Sequence, residues 1–268
     1  MKTRLLLIAT ATLLCAAPVG RGASPAAAPP AAAPTEGGDA AHRLEPGWIA
    51  LINGRDLAGW RAQDPALPSW SAVRAVGWSP VPDPRALSGA PAAGDRLFNG
   101  ASGKASNLVT VARFGDIELY LEFLLPAKGN SGVYLHGLYE IQLLDSHGVT
   151  RLRYGDCGGI YTRKVGEELV GGRPPLVNAC RPAGQWQSLH LRFRAPRFAP
   201  DGRKLAPARF ERVLLNGVVV QSDQEVSGPT HSSMSHPEAP ENPLMLQGDH
   251  GPVAFREIHV RPLSPETR

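Results

Sequence analysis

Ile117-Glu118-Leu119-Tyr120-Leu121-Glu122-Phe123-Leu124-Leu125 is the stretch on which the fold turns. Leu119, Leu121 and Phe123 fall on one side of an extended chain, and Glu118, Tyr120 and Glu122 on the other. That period of two marks a strand with one buried face. Upstream, residues 107–113 (NLVTVAR) form another short apolar run. Downstream, residues 132–136 and 139–144 are separated by Gly137-Leu138, a spacing compatible with a tight hairpin. Residues 186–194 alternate with Leu189, Leu191 and Phe193 inward. Residues 209–215 and 218–222 flank Asn216-Gly217, the strongest local hairpin signal in the chain. Residues 244–247 and 253–260 close the series, and no long amphipathic helix or internal repeat interrupts it. Many short strands at this spacing predict an all-β sandwich. Three segments, 79–94, 165–182 and 227–243, are too rich in Pro and Gly for strand. Loops this long in a compact domain are usually functional, and these could wall a cleft at the rim or across one face.

The ends of the chain read differently. Residues 1–22 have a charged start at Lys2 and Arg4 and a short apolar core from Leu5 to Ala17, the pattern of an export signal. Gly20 and Gly22 offer the best cleavage site. Cys15 follows Leu13-Leu14, where a lipoprotein signal wants a small residue directly before the cysteine, so a lipid anchor is not expected. Residues 23–43 are Ala- and Pro-rich and have little to bury, as in a tether. The folded domain is expected over 44–263, with 264–268 as a tail, in a secreted or periplasmic protein.

The whole chain has 268 residues, 43% hydrophobic and 19% charged, with a formal net charge of +4. Lys2, Arg4 and Arg21 would leave with the leader, so the mature chain is close to neutral. That balance, with no Lys/Arg run, argues against a nucleic-acid partner. No apolar stretch reaches the roughly 18 residues that an integral membrane span needs. Loss of the leader also removes Cys15 and leaves Cys157 and Cys180. An even number in an oxidising compartment predicts a disulfide, the alternative being two independent buried thiols. Neither has the CxxC spacing of a zinc site.

The richest segment chemically is 129–146, GNSGVYLHGLYEIQLLDS. Glu140 and Gln142 share a strand face by alternation; Asp145 joins them only if a bulge brings it round. Two carboxylates and an amide on one strand suit acid–base work on a sugar. The alternative is a solvated polar face with Asp145 capping the strand end. His136 shares a face with Tyr134, and is either a proton carrier or a structural histidine.

The folded part resembles the 3-keto-disaccharide hydrolase family, formerly a domain of unknown function. The matching residues begin with Gly47-Trp48, Leu51-Ile52-Asn53-Gly54-Arg55-Asp56-Leu57-Ala58-Gly59-Trp60 and Phe114-Gly115-Asp116-Ile117-Glu118-Leu119. Gly129-Asn130-Ser131-Gly132-Val133-Tyr134-Leu135, Tyr139-Glu140-Ile141-Gln142-Leu143-Leu144-Asp145 and Cys157-Gly158-Gly159-Ile160-Tyr161 continue them. Pro182-Ala183-Gly184-Gln185-Trp186-Gln187, Leu246-Gln247-Gly248-Asp249-His250-Gly251 and Phe255-Arg256-Glu257-Ile258 complete the set. The resemblance implies a concanavalin A-like jelly-roll sandwich of two antiparallel sheets, an activity on 3-keto-glycosides, and an upstream enzyme that oxidises glycosides at C3. For acid–base chemistry on such a sugar Glu140, Asp145 and His136 are the catalytic candidates, and Gln142, Asn130, Tyr134, Tyr161 and His250 the substrate-binding ones. His136 stands where many relatives have Arg, Gly248 is an insertion before Asp249-His250, and the 163–172 loop is private to this branch.

Laminarinase-type glycoside hydrolases share that fold and carry E-x-D-x-x-E on a bulged strand. Here the stretch is Glu140-x-Gln142-x-x-Asp145. Retaining hydrolysis needs carboxyls about 5–5.5 Å apart with one held protonated, and a neutral Gln142 cannot raise a neighbour's pKa by repulsion. A 3-keto sugar offers another route. Its ketone acidifies the proton at C2, so one base suffices, and the oxygen at C1 leaves by β-elimination before water adds back. A divalent cation such as calcium could polarise the enediolate, although no diagnostic metal spacing is present. The expected function is an exported enzyme that splits 3-keto-glycosides. A non-catalytic carbohydrate-binding module and a conventional glucanase are the competing readings.

Overall fold

In the computed structural model, which describes residues 46–90 and 92–264, strands succeed one another with no helix between them. Short strands come first: β1 (Ile49–Ala50), β2 (Trp60–Ala62), β3 (Ser71–Val73), β4 (Val76–Trp78), β5 (Leu87–Gly89), β6 (Arg96–Phe98) and β7 (Leu108–Thr110). The middle of the domain holds β8 (Ile117–Leu124), β9 (Asn130–Leu135), β10 (Tyr139–Leu144), β11 (Arg163–Val165) and β12 (Glu168–Val170). Then follow β13 (Gln187–Arg194), β14 (Arg197–Phe198), β15 (Lys204–Ala206), β16 (Ala208–Leu215), β17 (Val218–Val226), β18 (Met245–Leu246) and β19 (Ala254–Pro262). The leader 1–22, the linker 23–43 and residues 265–268 of the tail lie outside the described residues. Among the described residues no helix is long and apolar enough to cross a membrane.

Two antiparallel sheets form the sandwich. The larger runs β17-β16-β13-β8-β19-β6-β3, with β1 paired to β19; the smaller runs β10-β9-β18-β7-β2. This is the all-β sandwich that the alternation predicts, in the jelly-roll form that the resemblance implies. Leu119, Leu121 and Phe123 of β8 meet Val133, Leu135, Ile141 and Leu143 of β9 and β10 in one core cluster. Each such side chain, fully buried, contributes roughly 1.5–3 kcal/mol of transfer free energy.

The other face of β8 is also covered. Glu118 receives hydrogen bonds from His190 (2.7 Å) and Arg261 (2.7 Å), and Glu122 receives one from Arg256 (2.5 Å). Arg261 and Arg256 lie in turn over the rings of Trp48 and Trp186. Burial works against the Glu118 charge, but the His190 and Arg261 contacts outweigh it and hold the carboxyl down at about 2. A strand expected to expose one face is thus closed on both, by an ion-pair ladder under aromatic lids.

Two hairpin turns decide which side chains reach which face. Asn216 and Gly217 sit at φ 52° and 80° between β16 and β17, the primed-turn geometry their sequence calls for. Between β9 and β10 the turn residues are His136 and Gly137, at φ 58° and 64°, not Gly137 and Leu138. The β9 ladder therefore ends at Leu135, and His136 does not continue its alternation. Segments expected as loops also yield short ribbons. β5 pairs with β4 and buries Leu87 against Val73 and Phe98, and β11 pairs with β12. Residues 227–243 form no strand.

The disulfide expected between Cys157 and Cys180 is not formed. Both are buried free thiols, close enough to influence each other's ionisation. Cys180 Sγ is directed at the carbonyls of Leu144 (3.5 Å) and Arg181 (3.4 Å).

Candidate active site

Register places the polar residues of the β9–β10 hairpin on the face of the small sheet turned away from the core. Glu140 stands opposite Tyr134, Gln142 opposite Gly132 and Leu144 opposite Asn130, so Asn130, Tyr134, Glu140 and Gln142 share that face. Ile141 and Leu143 point into the sandwich and are fully buried. Strand β18 continues the face with Met245 beside Tyr134, and Gln247 follows, its amide bonded to Gly132 O at 3.0 Å.

The face is not open as the alternation suggests: Glu140 is only 2% exposed and Gln142 4%. Two chain segments cover it. Residues 158–161 run along the free edge of β10, with Gln142 N to Gly159 O at 2.9 Å, Gly158 N to Gln142 O at 2.8 Å and Tyr161 N to Glu140 O at 3.2 Å. This satisfies an edge strand that would otherwise present bare amides and carbonyls. From the 227–243 segment, Thr230 Oγ1 accepts the Glu140 amide at 3.0 Å, and Met234 packs with Tyr134, Val109 and Met245.

The Glu140 carboxylate lies against the Tyr134 hydroxyl, to which Gln247 Nε2 also donates at 3.5 Å. Burial pushes the Glu140 carboxyl up to about 8; the Tyr134 hydroxyl opposes this and the charge of Asp249 reinforces it. Burial, then the neighbouring Glu140 charge, raises the Tyr134 and Tyr161 hydroxyls, so both stay protonated at neutral pH. Gln142 Nε2 is committed to Asn130 Oδ1 (2.6 Å), Ser131 O and Leu143 O, which fixes the amide in place. At the rim, Asp249 Oδ1 holds His250 Nδ1 at 2.6 Å, and Gly251 lies next to the Asn130 backbone.

Two candidates do not join this group. His136 is completely buried between Tyr139 and Phe193, with ring centroids 6.2 and 5.2 Å away. Its Nε2 lies 3.3 Å from Gly115 O, and burial pulls the imidazole down to about 4, so it is a neutral core histidine. The positive-φ turn explains the difference, because it swings residue 136 off the strand face. Asp145 lies five residues along β10 from Glu140, past the strand end, where no bulge returns it. Its carboxylate accepts the Lys128 amide at 2.9 Å and its own amide bonds Gly129 O at 2.9 Å, the capping role. The structure adds Thr230, Gln247 and Asp249 to the surroundings of Glu140. Gln247 and Asp249 stand in the 246–251 motif; Thr230 has no local sequence signal. Among the described residues no three His, Cys, Asp or Glu gather as a metal site.

What the arrangement offers chemically is one high-pKa carboxyl flanked by protonated phenols, fixed amides and a rim imidazole. No curated protein matches this sequence. Among solved structures, a "putative glycosyl hydrolase" from Parabacteroides distasonis ATCC 8503 is 25% identical with a TM-score of 0.57, over 81% of this chain and 84% of that one. A second protein of that description from the same organism is 18% identical with a TM-score of 0.50, over 81% and 94% of the two chains. A family model described as 3-keto-alpha-glucoside-1,2-lyase-like domain matches residues 47–261, which takes in both sheets and every residue of the Glu140 site. The chain therefore belongs to the 3-keto-alpha-glucoside-1,2-lyase-like family and is a carbohydrate-active enzyme.

Proposed function

We propose that the protein is an exported enzyme that cleaves the glycosidic bond of 3-keto-glycosides by C2 proton abstraction and β-elimination, followed by hydration. The observation that carries this reading is the isolation of Glu140. It is a carboxyl on the outer face of the small sheet with its pKa raised to about 8, while the second acid of its strand, Asp145, caps a turn at the far end. Double displacement needs a facing pair at short range; elimination from a ketone needs one good base.

In its anionic form Glu140 takes the proton from C2, and the C–H electron pair moves onto the C3 carbonyl oxygen as an enolate. Collapse of the enolate forms the C1–C2 double bond and expels the oxygen at C1. Tyr161, held protonated, gives that oxygen its proton. Water then adds its hydroxide to C1 and its proton to Tyr161, while the Glu140 acid returns the proton to C2. Asn130, which the Gln142 amide holds in place, and the Asp249–His250 pair supply polar contacts for sugar hydroxyls. The lyase-like family description and the glycosyl hydrolase description of the structural neighbour support an elimination whose net result is hydrolysis. The substrate would be supplied by an enzyme that oxidises the C3 hydroxyl of a glycoside.

The test is to incubate the protein with a 3-keto-glucoside and with its unoxidised parent. Aglycone release from the keto sugar alone is the expected result. Equal rates on both would overturn the proposal, because elimination has no driving force without the ketone.

A further inference from the structure

A cavity of about 290 Å³ is lined on one side by Tyr161, the residue that protonates the leaving oxygen in the reaction above. Thr230, which like Tyr161 bonds the Glu140 backbone, also lines it. With Tyr161 as the acid, the departing group lies on the side of Glu140 that faces this cavity. Val170 and Gly171, from the end of the β11–β12 ribbon, form another wall, so the 163–172 segment shapes this cavity. Its volume is at the low end for ligand pockets, enough for one ring and not for a chain.

The charged lining is Arg163, Arg173 and Glu225. Arg163 Nε is buried with no hydrogen-bond partner, and among the described residues neither Arg163 nor Arg173 forms an ion pair. A buried N–H without an acceptor is costly. Guanidinium is also the side chain best shaped to take a planar carboxylate in a fork of two hydrogen bonds. Two guanidinia against one carboxylate leave the cavity positive.

The geometry points to a leaving-group subsite for an aglycone ring bearing a carboxylate, held by Arg163 and Arg173. This inference rests on the reading of Glu140 as the base and Tyr161 as the acid, which sets where the leaving group lies.

The experiment compares 4-carboxyphenyl and 4-carbamoylphenyl 3-keto-glucosides, which differ in charge but hardly in shape. For the wild-type protein kcat/KM should favour the carboxylate by about 10–100-fold, the scale of a charge-assisted bidentate contact. The ratio should fall toward one in Arg163→Gln and recover in part in Arg163→Lys. A wild-type ratio near one, or a ratio unchanged in both Arg163→Gln and Arg173→Gln, would overturn the subsite. Calorimetric binding of 4-hydroxybenzoate against 4-hydroxybenzamide reads the same cavity without turnover. Failure to cleave either glycoside would therefore reject the elimination reading and leave the subsite to this second measurement. There, selective binding of the benzoate that is lost in Arg163→Gln supports it, and equal or absent binding refutes it. Arg173 is exposed, so Arg173→Gln gives the same readout should Arg163→Gln not fold.

Discussion

The Glu140 carboxylate lies in the space that a side chain at position 132 would occupy. A Cβ on Gly132 would overlap Glu140 Oε1 and stand 3.0 Å from both Glu140 Cδ and Tyr134 Cε2. Gly132 has an ordinary strand backbone, so its missing side chain, and not its flexibility, is what the site uses.

Gly132→Ala should therefore fold and displace the carboxylate. Misplacing a catalytic group by about an ångström costs on the order of 10²-fold in rate. We expect kcat to fall by about 10–100-fold, with a melting temperature lowered only by the few degrees that roughly 1–3 kcal/mol of overpacking costs. Unchanged kcat in a folded variant would mean that Glu140 is not positioned for catalysis.

Glu140→Gln should lower turnover by about 10²–10⁴-fold with less effect on substrate binding. In the wild-type protein the base form grows as pH rises through about 8, so kcat/KM should climb to a plateau above that pH. A profile that falls through the same range would make Glu140 the acid instead.

The same carboxyl predicts a stability effect of opposite sign to the usual acidic residue. Its folded pKa is raised from 4.5 to about 8, so the native state keeps a proton that the unfolded chain releases. Wild-type stability should fall as pH climbs from about 4.5 to 8, by a few kcal/mol at about 1.4 kcal/mol per pH unit. Urea unfolding at pH 5 and pH 8.5 should show Glu140→Gln gaining on the wild type at the higher pH. A difference that does not change with pH would contradict the burial argument.

Glu118 behaves in the normal sense. Its folded pKa lies near 2, below the unfolded 4.5, so its contribution is present above pH 4.5 and lost as pH falls toward 2. Glu118→Gln should destabilise the protein at pH 7 by about 1–3 kcal/mol, and the difference should vanish near pH 2. An equal deficit at both pH values would assign the loss to packing.

Cys157 and Cys180 are free, buried and adjacent, and the Cys180 thiol is the more readily ionised, mainly through its contact with Cys157. An oxidant such as glutathione disulfide should accept the two electrons and join them, with loss of two protons. The product should be lighter by two hydrogens and more stable by roughly 2–4 kcal/mol. Two alkylatable thiols after prolonged exposure, in protein shown to be folded, would refute the pairing.

The strands were legible in the sequence because alternation is local. Leu119, Leu121 and Phe123 identify β8, and Asn216-Gly217 names its own turn. The hairpin bearing the site was legible in pattern but not in register. His136 reads as a strand residue until the backbone adopts positive φ there, a choice set by the whole turn and not by the histidine. Asp145 could have met Glu140 only through a bulge, and a bulge leaves no mark in residue types. The burial of Glu140 was invisible for another reason. Its cover comes from Thr230, ninety positions away in a segment without periodicity, and from residues 158–161 laid along an edge strand. Asp249 was quoted in a motif, yet its influence on Glu140 follows from folding and not from spacing.

The β11–β12 ribbon pairs only with itself and contributes no rung to either large sheet. It can lengthen, shorten or change its charges without disturbing the ladder that fixes Glu140. Under the subsite proposed above, substrate range and chemical step would be carried by separable pieces of chain. Grafting the 163–172 segment of another family member onto this scaffold should retarget the enzyme without rebuilding its reaction centre.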